Sequence, residues 1–331
     1  MILLTYGTRP EWIKIKPLID VFKRNNIFHK ILFTGQHENI GIGEYNYALS
    51  IPNSTIERLN NVLASIISSK ELEGLHPNAV IVQGDTASVL AIALKFFNLK
   101  IPIIHLEAGL RTYDLYNPFP EEAYRQMVSR ISDIHLCPTE SNRINLELEK
   151  CSGSKCVVGN TVLDNLKQVQ TSYQNKVLCT LHRRENHSII ESWFNEINKL
   201  ATAHPKIEFL LPIHPNPNVQ KYKHLLSNVK VVEPLNHEEL IDYLKNVKLV
   251  ITDSGGIQEE ACFLQKKVIV CRKLSERNEK SNHLITCKEP IDLEKIFKTS
   301  IISYEINEPC PYGDGNSSEK IFNLLKDMNY I

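Results

Sequence analysis

The chain has 331 residues, 42% of them hydrophobic, and its 38 basic side chains are balanced by 38 acidic ones. That length favours two domains of ordinary size, with enough apolar residues for a sizeable core. A formal net charge of zero argues against a nucleic-acid binder or a basic membrane-surface protein.

The opening MILLTYG is apolar but short and runs at once into Arg9 and Glu11, so no secretory leader is expected. No stretch has the length of a membrane span. Eight cysteines are scattered without a CxxC pair or zinc spacing. Cys137, Cys179 and Cys271 lie in apolar runs, and the set reads as buried free thiols in a reducing cytoplasm.

Apolar runs then alternate with longer amphipathic segments. The first half offers ILLTY (2–6), KILFT (30–34), AVIVQ (79–83), IPIIHL (101–106), DIHLCP (133–138) and KCVVG (155–159). Helical patterns at 13–25, 87–97, 121–131 and 140–150 separate them. A second series follows: KVLCTLH (176–182), IEFLLPIH (207–214), VKVVEP (229–234), VKLVIT (247–252) and KKVIVC (266–271). Continuous apolar runs mark strands buried on both faces, and intervening helices make the sheets parallel. The fold class expected is therefore α/β, with two Rossmann-like domains. The expected boundaries are 1–168 and 169–315. The last helix, 316–331, is expected to pack back on the first domain.

Ligands of such sheets bind beyond the carboxyl ends of the strands. Those ends carry GTRPE (Arg9, then Lys14), GQH (Gln36, His37), QGDT (Asp85), HLEAGLRT (Glu107, Arg111) and PEE (Glu121, Glu122). In the second half they carry HRREN (His182, Arg183), HPNP (His214), TDSGG and RKLSERNE (Arg272, Glu276, Arg277). Taken singly, each has an ordinary explanation: Asp85 suits a helix cap, and His37 a surface histidine. A charged or titratable group at nearly every strand end is harder to explain by stability alone. In ITDSGGIQEEA (251–261), the bare Gly255 and Gly256 open a helix whose amides attract phosphate, and the acids one turn later suit sugar hydroxyls. The competing reading is a tight turn followed by solvated acids.

Arg9 and Arg277 are forks suited to a diphosphate, alongside the amides of Gly255 and Gly256. Asp85, Glu107 and Glu121 supply carboxylates whose proximity would separate their pKa values into an acid and a base, and His214 is expected to face them across an interdomain cleft. No DxD-like pair is present, so arginine and amides rather than a metal are expected to meet phosphate charge.

In order along the chain, GTRPE, QGDT, HLEAGLRT with NPFPEE, HRREN, HPNP, TDSGGIQEEA and RKLSERNE resemble the non-hydrolysing UDP-N-acetylglucosamine 2-epimerases of bacteria. The resemblance covers nearly the whole chain. It implies the glycosyltransferase type B fold with a deep interdomain cleft, a homodimer, no cofactor and a place in polysaccharide biosynthesis. It implies interconversion of UDP-N-acetylglucosamine and UDP-N-acetylmannosamine by anti-elimination of UDP through 2-acetamidoglucal. Carried over by position, Arg9, Lys14, Asp85, Glu107, Glu121 and His214 match catalytic residues. Ser254, Gly255, Gly256 and Glu260 match UDP contacts, with Glu260 on the ribose. Arg272, Glu276 and Arg277 match the uridine side, and His182 and Arg183 are grouped with the UDP-binding set. The acid and the base stay unassigned among the carboxylates.

Two departures stand out. Asn278 replaces a proline usual in the family, and the stretch from Gln36 to Asp85 is short, with Asn39 at a position usually held by glutamine. Many members need a second UDP-N-acetylglucosamine as activator, with contacts matching Gln36, Arg183 and His214; the shortening implies that this activation is lost. Other readings are an epimerase of a different UDP-2-acetamido sugar, a hydrolysing epimerase, a retaining glycosyltransferase, and a non-catalytic sugar-nucleotide sensor.

Overall fold

In a computed structural model of the chain, the described residues are 1–37, 43–51, 57–277 and 279–331. Asn39 and Asn278, the two departures noted above, lie outside them. The chain divides into two compact units, Met1–Asn165 with Gly313–Ile331, and Leu166–Tyr312.

In the first unit, strands β1 (Ile2–Tyr6), β2 (His29–Phe33), β3 (Tyr47–Ala48), β4 (Ala79–Gln83), β5 (Ile103–Leu106), β6 (Ile134–Cys137) and β7 (Ser154–Val157) form one parallel sheet. Its order among the described residues is β3-β2-β1-β4-β5-β6-β7. Helices α1 (Arg9–Arg24), α2 (Arg58–Ile67), α3 (Ala87–Asn98), α4 (Glu121–Arg130) and α5 (Glu140–Leu148) connect the strands. ILLTY and AVIVQ are buried at every residue, as runs covered on both faces must be. Successive residues then face opposite layers. Leu4, Ile81 and Ile104 pack with Ile15, Leu18 and Phe22 of α1, whereas Leu3, Val80 and Ile103 pack with Val62 and Ile66 of α2 and Ile92 and Phe96 of α3. Each such side chain contributes about 1.5–3 kcal/mol by leaving water.

The first helix starts at Arg9, ahead of the apolar periodicity that begins at residue 13. Thr8 and Glu11 form a capping box there, and Pro10 occupies the first turn.

The second unit repeats the plan with β8 (Lys176–Thr180), β9 (Glu208–Pro212), β10 (Lys230–Val232), β11 (Leu249–Thr252), β12 (Lys267–Val270) and β13 (Leu284–Thr286), ordered β10-β9-β8-β11-β12-β13. Helices α6 (Ile190–Ala203), α7 (Pro217–Gln220), α8 (His237–Leu244), α9 (Gly255–Phe263) and α10 (Leu293–Ser300) connect these strands. The final helix, α11 (Ser317–Asp327), belongs to the first unit. Ile321 and Leu325 join the α1 layer, and the Asp164 carboxylate accepts the N–H groups of Ser317 (2.9 Å) and Ser318 (2.7 Å) at the helix start.

Strand order reverses between β1 and β4 in the first unit and between β8 and β11 in the second. These are the topological switch points, where open α/β sheets bind their ligands. The four loops leaving those strands are GTRPE, GDT, HRREN and DSGG.

Candidate active site

In the first unit, Glu107 follows β5 with a left-handed backbone, φ +66°, a conformation that side chains other than glycine adopt at a cost. Its carboxylate is buried. Lys14 Nζ, from α1, stands 2.6 Å from both carboxylate oxygens. Gln83, the last residue of β4, donates to Oε2 at 2.5 Å, and Asn160 donates to Oε1 at 3.5 Å. Neither amide stood out in the sequence. The GN step after β7 was the available signal for Asn160, and only strand adjacency brings in Gln83.

Asp85 leaves β4 two residues later and meets Arg125 of α4, Nη2 to Oδ2, at 2.5 Å. Arg125 is one helical turn beyond Glu121, so the two share a face of α4. Glu121 stands half-buried at the first helical position, close enough that its charge adds to burial in raising the Tyr124 phenol. Lys14 and Gln83 thus hold Glu107, and Arg125 holds Asp85, with Glu121 one helical turn before Arg125 on α4. Glu122, next to Glu121, has a different task. It is fully buried and accepts the N–H groups of Thr112 (3.0 Å) and Tyr113 (3.1 Å), fixing the loop after Arg111.

Arg9 is exposed, with no hydrogen bond or ion pair among the described residues. Gln36 is committed: its Oε1 accepts from Ser88 N at 3.0 Å and Ser88 Oγ at 2.8 Å.

In the second unit, Asp253 is fully buried at the end of β11 and organises HRREN. Its carboxylate accepts the N–H groups of His182 (3.0 Å) and Arg183 (2.9 Å) and the amide of Asn186 (2.9 Å). The rings of His182 and His214 stack with centroids 5.6 Å apart. Burial lowers the pKa of both imidazoles; His187 lowers His214 further, while Asp253 opposes the shift in each. Both rings are thereby biased towards the neutral form.

Ser254 precedes α9 as its N-cap residue without a side-chain cap bond, its N–H donates to Thr252 Oγ1 at 2.9 Å, and the amides of the helix's first turn have no intrahelical acceptor. Gly255 is bare for a local reason as well. A Cβ there would lie 2.2 Å from Arg277 Nη1, whereas one on Gly256 would meet nothing within 4 Å. Arg277 donates to Glu259 at 2.7 Å and to Glu276 at 2.5 Å, and Glu276 also takes Arg272 at 2.8 Å. Arg272 lies 3.2 Å from Glu185, and Arg183 3.7 Å from Glu276. Arg272, Glu276 and Arg277 therefore belong to a buried ion network with Arg183, Glu185 and Glu259. Glu260 is buried one helical turn beyond Gly256 and accepts or shares a hydrogen bond with His237 Nε2 at 2.6 Å. His237, on α8, was not singled out in the sequence.

Among the described residues, no group of three or more His, Cys, Asp or Glu is arranged to hold a metal ion, and no helix is long and apolar enough to cross a membrane.

Residues 20–326 match the sequence family described as UDP-N-acetylglucosamine 2-epimerase. The chain is 35% identical to the UDP-N-acetylglucosamine 2-epimerase of Neisseria meningitidis, with 98% of each chain covered. It is 35% identical to that of Campylobacter jejuni, covering 98% of this chain and 97% of the relative. The Neisseria alignment runs over 369 positions, so at least 38 of them have no counterpart among the 331 residues here. Among solved structures, the Neisseria enzyme bound to UDP-GlcNAc superimposes with a TM-score of 0.87 at 34% identity, covering 98% of this chain and 99% of that one. The Methanocaldococcus jannaschii enzyme in complex with UDP-GlcNAc and UDP gives 0.83 at 30% identity, covering 98% and 99%. A UDP-forming trehalose-phosphate synthase from Burkholderia vietnamiensis shares the fold alone, with a TM-score of 0.55 at 10% identity, covering 99% and 96%. The motifs, the paired parallel sheets and these full-length likenesses agree: the chain belongs to the UDP-N-acetylglucosamine 2-epimerase family.

Proposed function

We propose that this enzyme interconverts UDP-N-acetylglucosamine and UDP-N-acetylmannosamine without hydrolysing them. The observation that carries the reading is the placement of Glu107 by Lys14 and Gln83 and of Asp85 by Arg125, on the helix that begins at Glu121. One carboxylate takes the proton from carbon 2 of the sugar. The electrons of that C–H bond form the C1=C2 double bond of 2-acetamidoglucal, and the C1–O bond to UDP breaks with its pair leaving on the diphosphate. In the return step a carboxylic acid protonates carbon 2 on the opposite face, and UDP adds back at carbon 1. The carbon 2 proton is not acidic in the ground state, so the leaving diphosphate needs charge stabilisation as it departs. Arg9, the Ser254 hydroxyl and the first-turn amides of Gly255 and Gly256 in α9 are assigned to it. Glu260, oriented by His237, is assigned to the ribose. His182, Arg183, Arg272, Glu276 and Arg277 are assigned to the UDP side, and neutral His214 to catalysis. The reaction written this way needs no cofactor.

The protein is expected in the cytoplasm, where UDP-sugars are made, and as a homodimer. Ile67 on α2, Leu94 and Phe97 on α3, and Met127 on α4 are exposed apolar side chains on neighbouring helices, which supports self-association.

Incubation with UDP-N-acetylglucosamine in heavy water tests the reaction. Deuterium at carbon 2 with the UDP linkage retained supports the epimerase. Free N-acetylmannosamine points to a hydrolysing enzyme, and no exchange leaves a transferase or a sensor.

A further inference from the structure

Glu11 has no part in the chemistry above, yet it is only 3% exposed. A capping-box glutamate normally satisfies its own helix start and stays at the surface. Glu11 does more. Its Oε2 accepts the N–H of Gly7 at 2.5 Å and of Thr8 at 3.2 Å, while Oε1 accepts the hydroxyl of Thr86 at 2.7 Å. Thr86 follows Asp85 and caps α3, its Oγ1 accepting from Val89 N at 3.4 Å. One carboxylate therefore joins the loop after β1, which carries Arg9 and leads to Lys14, to the loop after β4, which carries Asp85.

The surroundings leave little slack. A Cβ on Gly7 would lie 2.2 Å from Thr34 Oγ1 and 2.6 Å from Ser88 Oγ, and those two hydroxyls are 2.8 Å apart. The loops after β1 and β2 and the start of α3 are thus in contact around Gly7. Burial also raises the pKa of Glu11 to about 7, against the N–H and O–H donors that lower it. A helix cap alone needs no such site, because a half-exposed side chain caps equally well without losing hydration.

We propose that Glu11 is a positioning residue for the epimerisation: its carboxylate sets the spacing between the Arg9–Lys14 segment and Asp85. The proposal rests on the function assigned above. Misplacing reacting groups by about 1 Å costs on the order of 10²-fold in rate. Glu11→Ala and Thr86→Val are therefore each expected to lower kcat by about 10- to 100-fold, with KM for UDP-N-acetylglucosamine changed far less. The double variant is expected to be no worse than the poorer single one, because both cut the same link. Thr86→Ser, which keeps the hydroxyl, is expected to restore activity. Rates are normalised to folded enzyme, measured by circular dichroism. Wild-type kcat in Thr86→Val, additive losses, or losses that vanish on normalisation would each overturn the proposal. If the wild-type enzyme does not turn over UDP-N-acetylglucosamine, the functional reading falls on its own. The link is then judged by calorimetric UDP affinity in the same double cycle: non-additive weakening supports it, and unchanged or additive affinities overturn it.

Discussion

Replacing Lys14 with methionine removes the ammonium that stands 2.6 Å from both oxygens of Glu107 while keeping an unbranched apolar stem. The Lys14 and Glu107 side chains are 14% and 7% exposed, so the carboxylate left behind has little water to turn to. Gln83 and Asn160 remain as neutral donors, the second at a long 3.5 Å. Breaking a buried pair from one side costs about 3–5 kcal/mol, and the residual exposure here places the loss at the low end, about 3 kcal/mol. Removing both members of the pair leaves neither charge facing the other's absence, so Lys14→Met with Glu107→Gln is expected to cost less than the single variant, about 1 kcal/mol. The sequence holds two tryptophans, Trp12 on α1 in the first unit and Trp193 on α6 in the second. In a Trp193→Phe background, tryptophan fluorescence reports the first unit alone. Urea unfolding followed this way should show the Lys14→Met midpoint lowered by about 1.5 M, for an m value of about 2 kcal/mol per molar, and largely recovered in the double variant. A single variant within experimental error of its parent would refute the reasoning. So would a double variant that falls by the full single loss again, since the pair would then not be coupled.

Other outcomes follow from the same geometry. Asp85→Asn, Glu107→Gln and Glu121→Gln should each fold and lose about 10²–10⁴-fold in turnover, and a near wild-type rate removes that residue from the mechanism. The Glu11 carboxyl, raised from 4.5 to about 7, holds its proton more tightly folded than unfolded. Its contribution is full below pH 4.5 and is lost as pH rises to about 7, a fall of about 3 kcal/mol that Glu11→Gln should flatten; equal urea-midpoint slopes against pH in the two proteins would count against it. Gly255→Ala should displace Arg277 from Glu259 and lower stability, whereas Gly256→Ala should leave stability unchanged and weaken UDP binding in calorimetry. Unchanged UDP affinity in the Gly256 variant would mean that the open space beside Gly256 is not where the phosphate packs. With the Gln36 amide oxygen taken by Ser88 and the chain shortened, pure UDP-N-acetylmannosamine should be converted with hyperbolic kinetics. A lag abolished by a trace of UDP-N-acetylglucosamine would show that the activator site survives.

The strands were legible because a strand covered on both faces has to be apolar throughout, as ILLTY and AVIVQ are. β3 and β13 were not, since two residues, Tyr47–Ala48, and three, Leu284–Thr286, are too few to carry a periodicity. The candidate site was legible at its motif positions, where a buried strand gives way abruptly to polar residues. Partner choice was hidden. Nothing in the spacing of QGDT and PEEAYR says that Arg125 holds Asp85, or that Glu11 reaches Thr86 across 75 residues. Adjacent acids are equally opaque. Glu121 and Glu122 are about 100° apart on α4 by helix geometry, and only the packing decides which one is buried against the loop after Arg111.

The two units commit their charges differently, and this bears on how a diphosphate would be held. In the second unit, the guanidinium groups of Arg183, Arg272 and Arg277 are matched by the carboxylates of Glu185, Glu259 and Glu276. Arg277, which its residue type marks as a fork for phosphate, already spends Nε and Nη1 on Glu259 and Glu276. Turning either donor to a ligand would break a buried ion-pair contact with Glu259 or Glu276. An engaged arginine of this kind shapes a site more readily than it grips an anion. What the second unit offers without rearrangement is the first turn of α9, whose amides have no acceptor within the helix, beside an open face at Gly256. In the first unit Lys14 is committed to Glu107, whereas Arg9 is exposed and without a partner among the described residues. Of the two arginines proposed for the diphosphate, Arg9 is therefore the one whose donors are uncommitted among the described residues. Since Arg9 begins the helix that Glu11 ties to the Asp85 loop, one link bears on the placement of both Arg9 and Asp85.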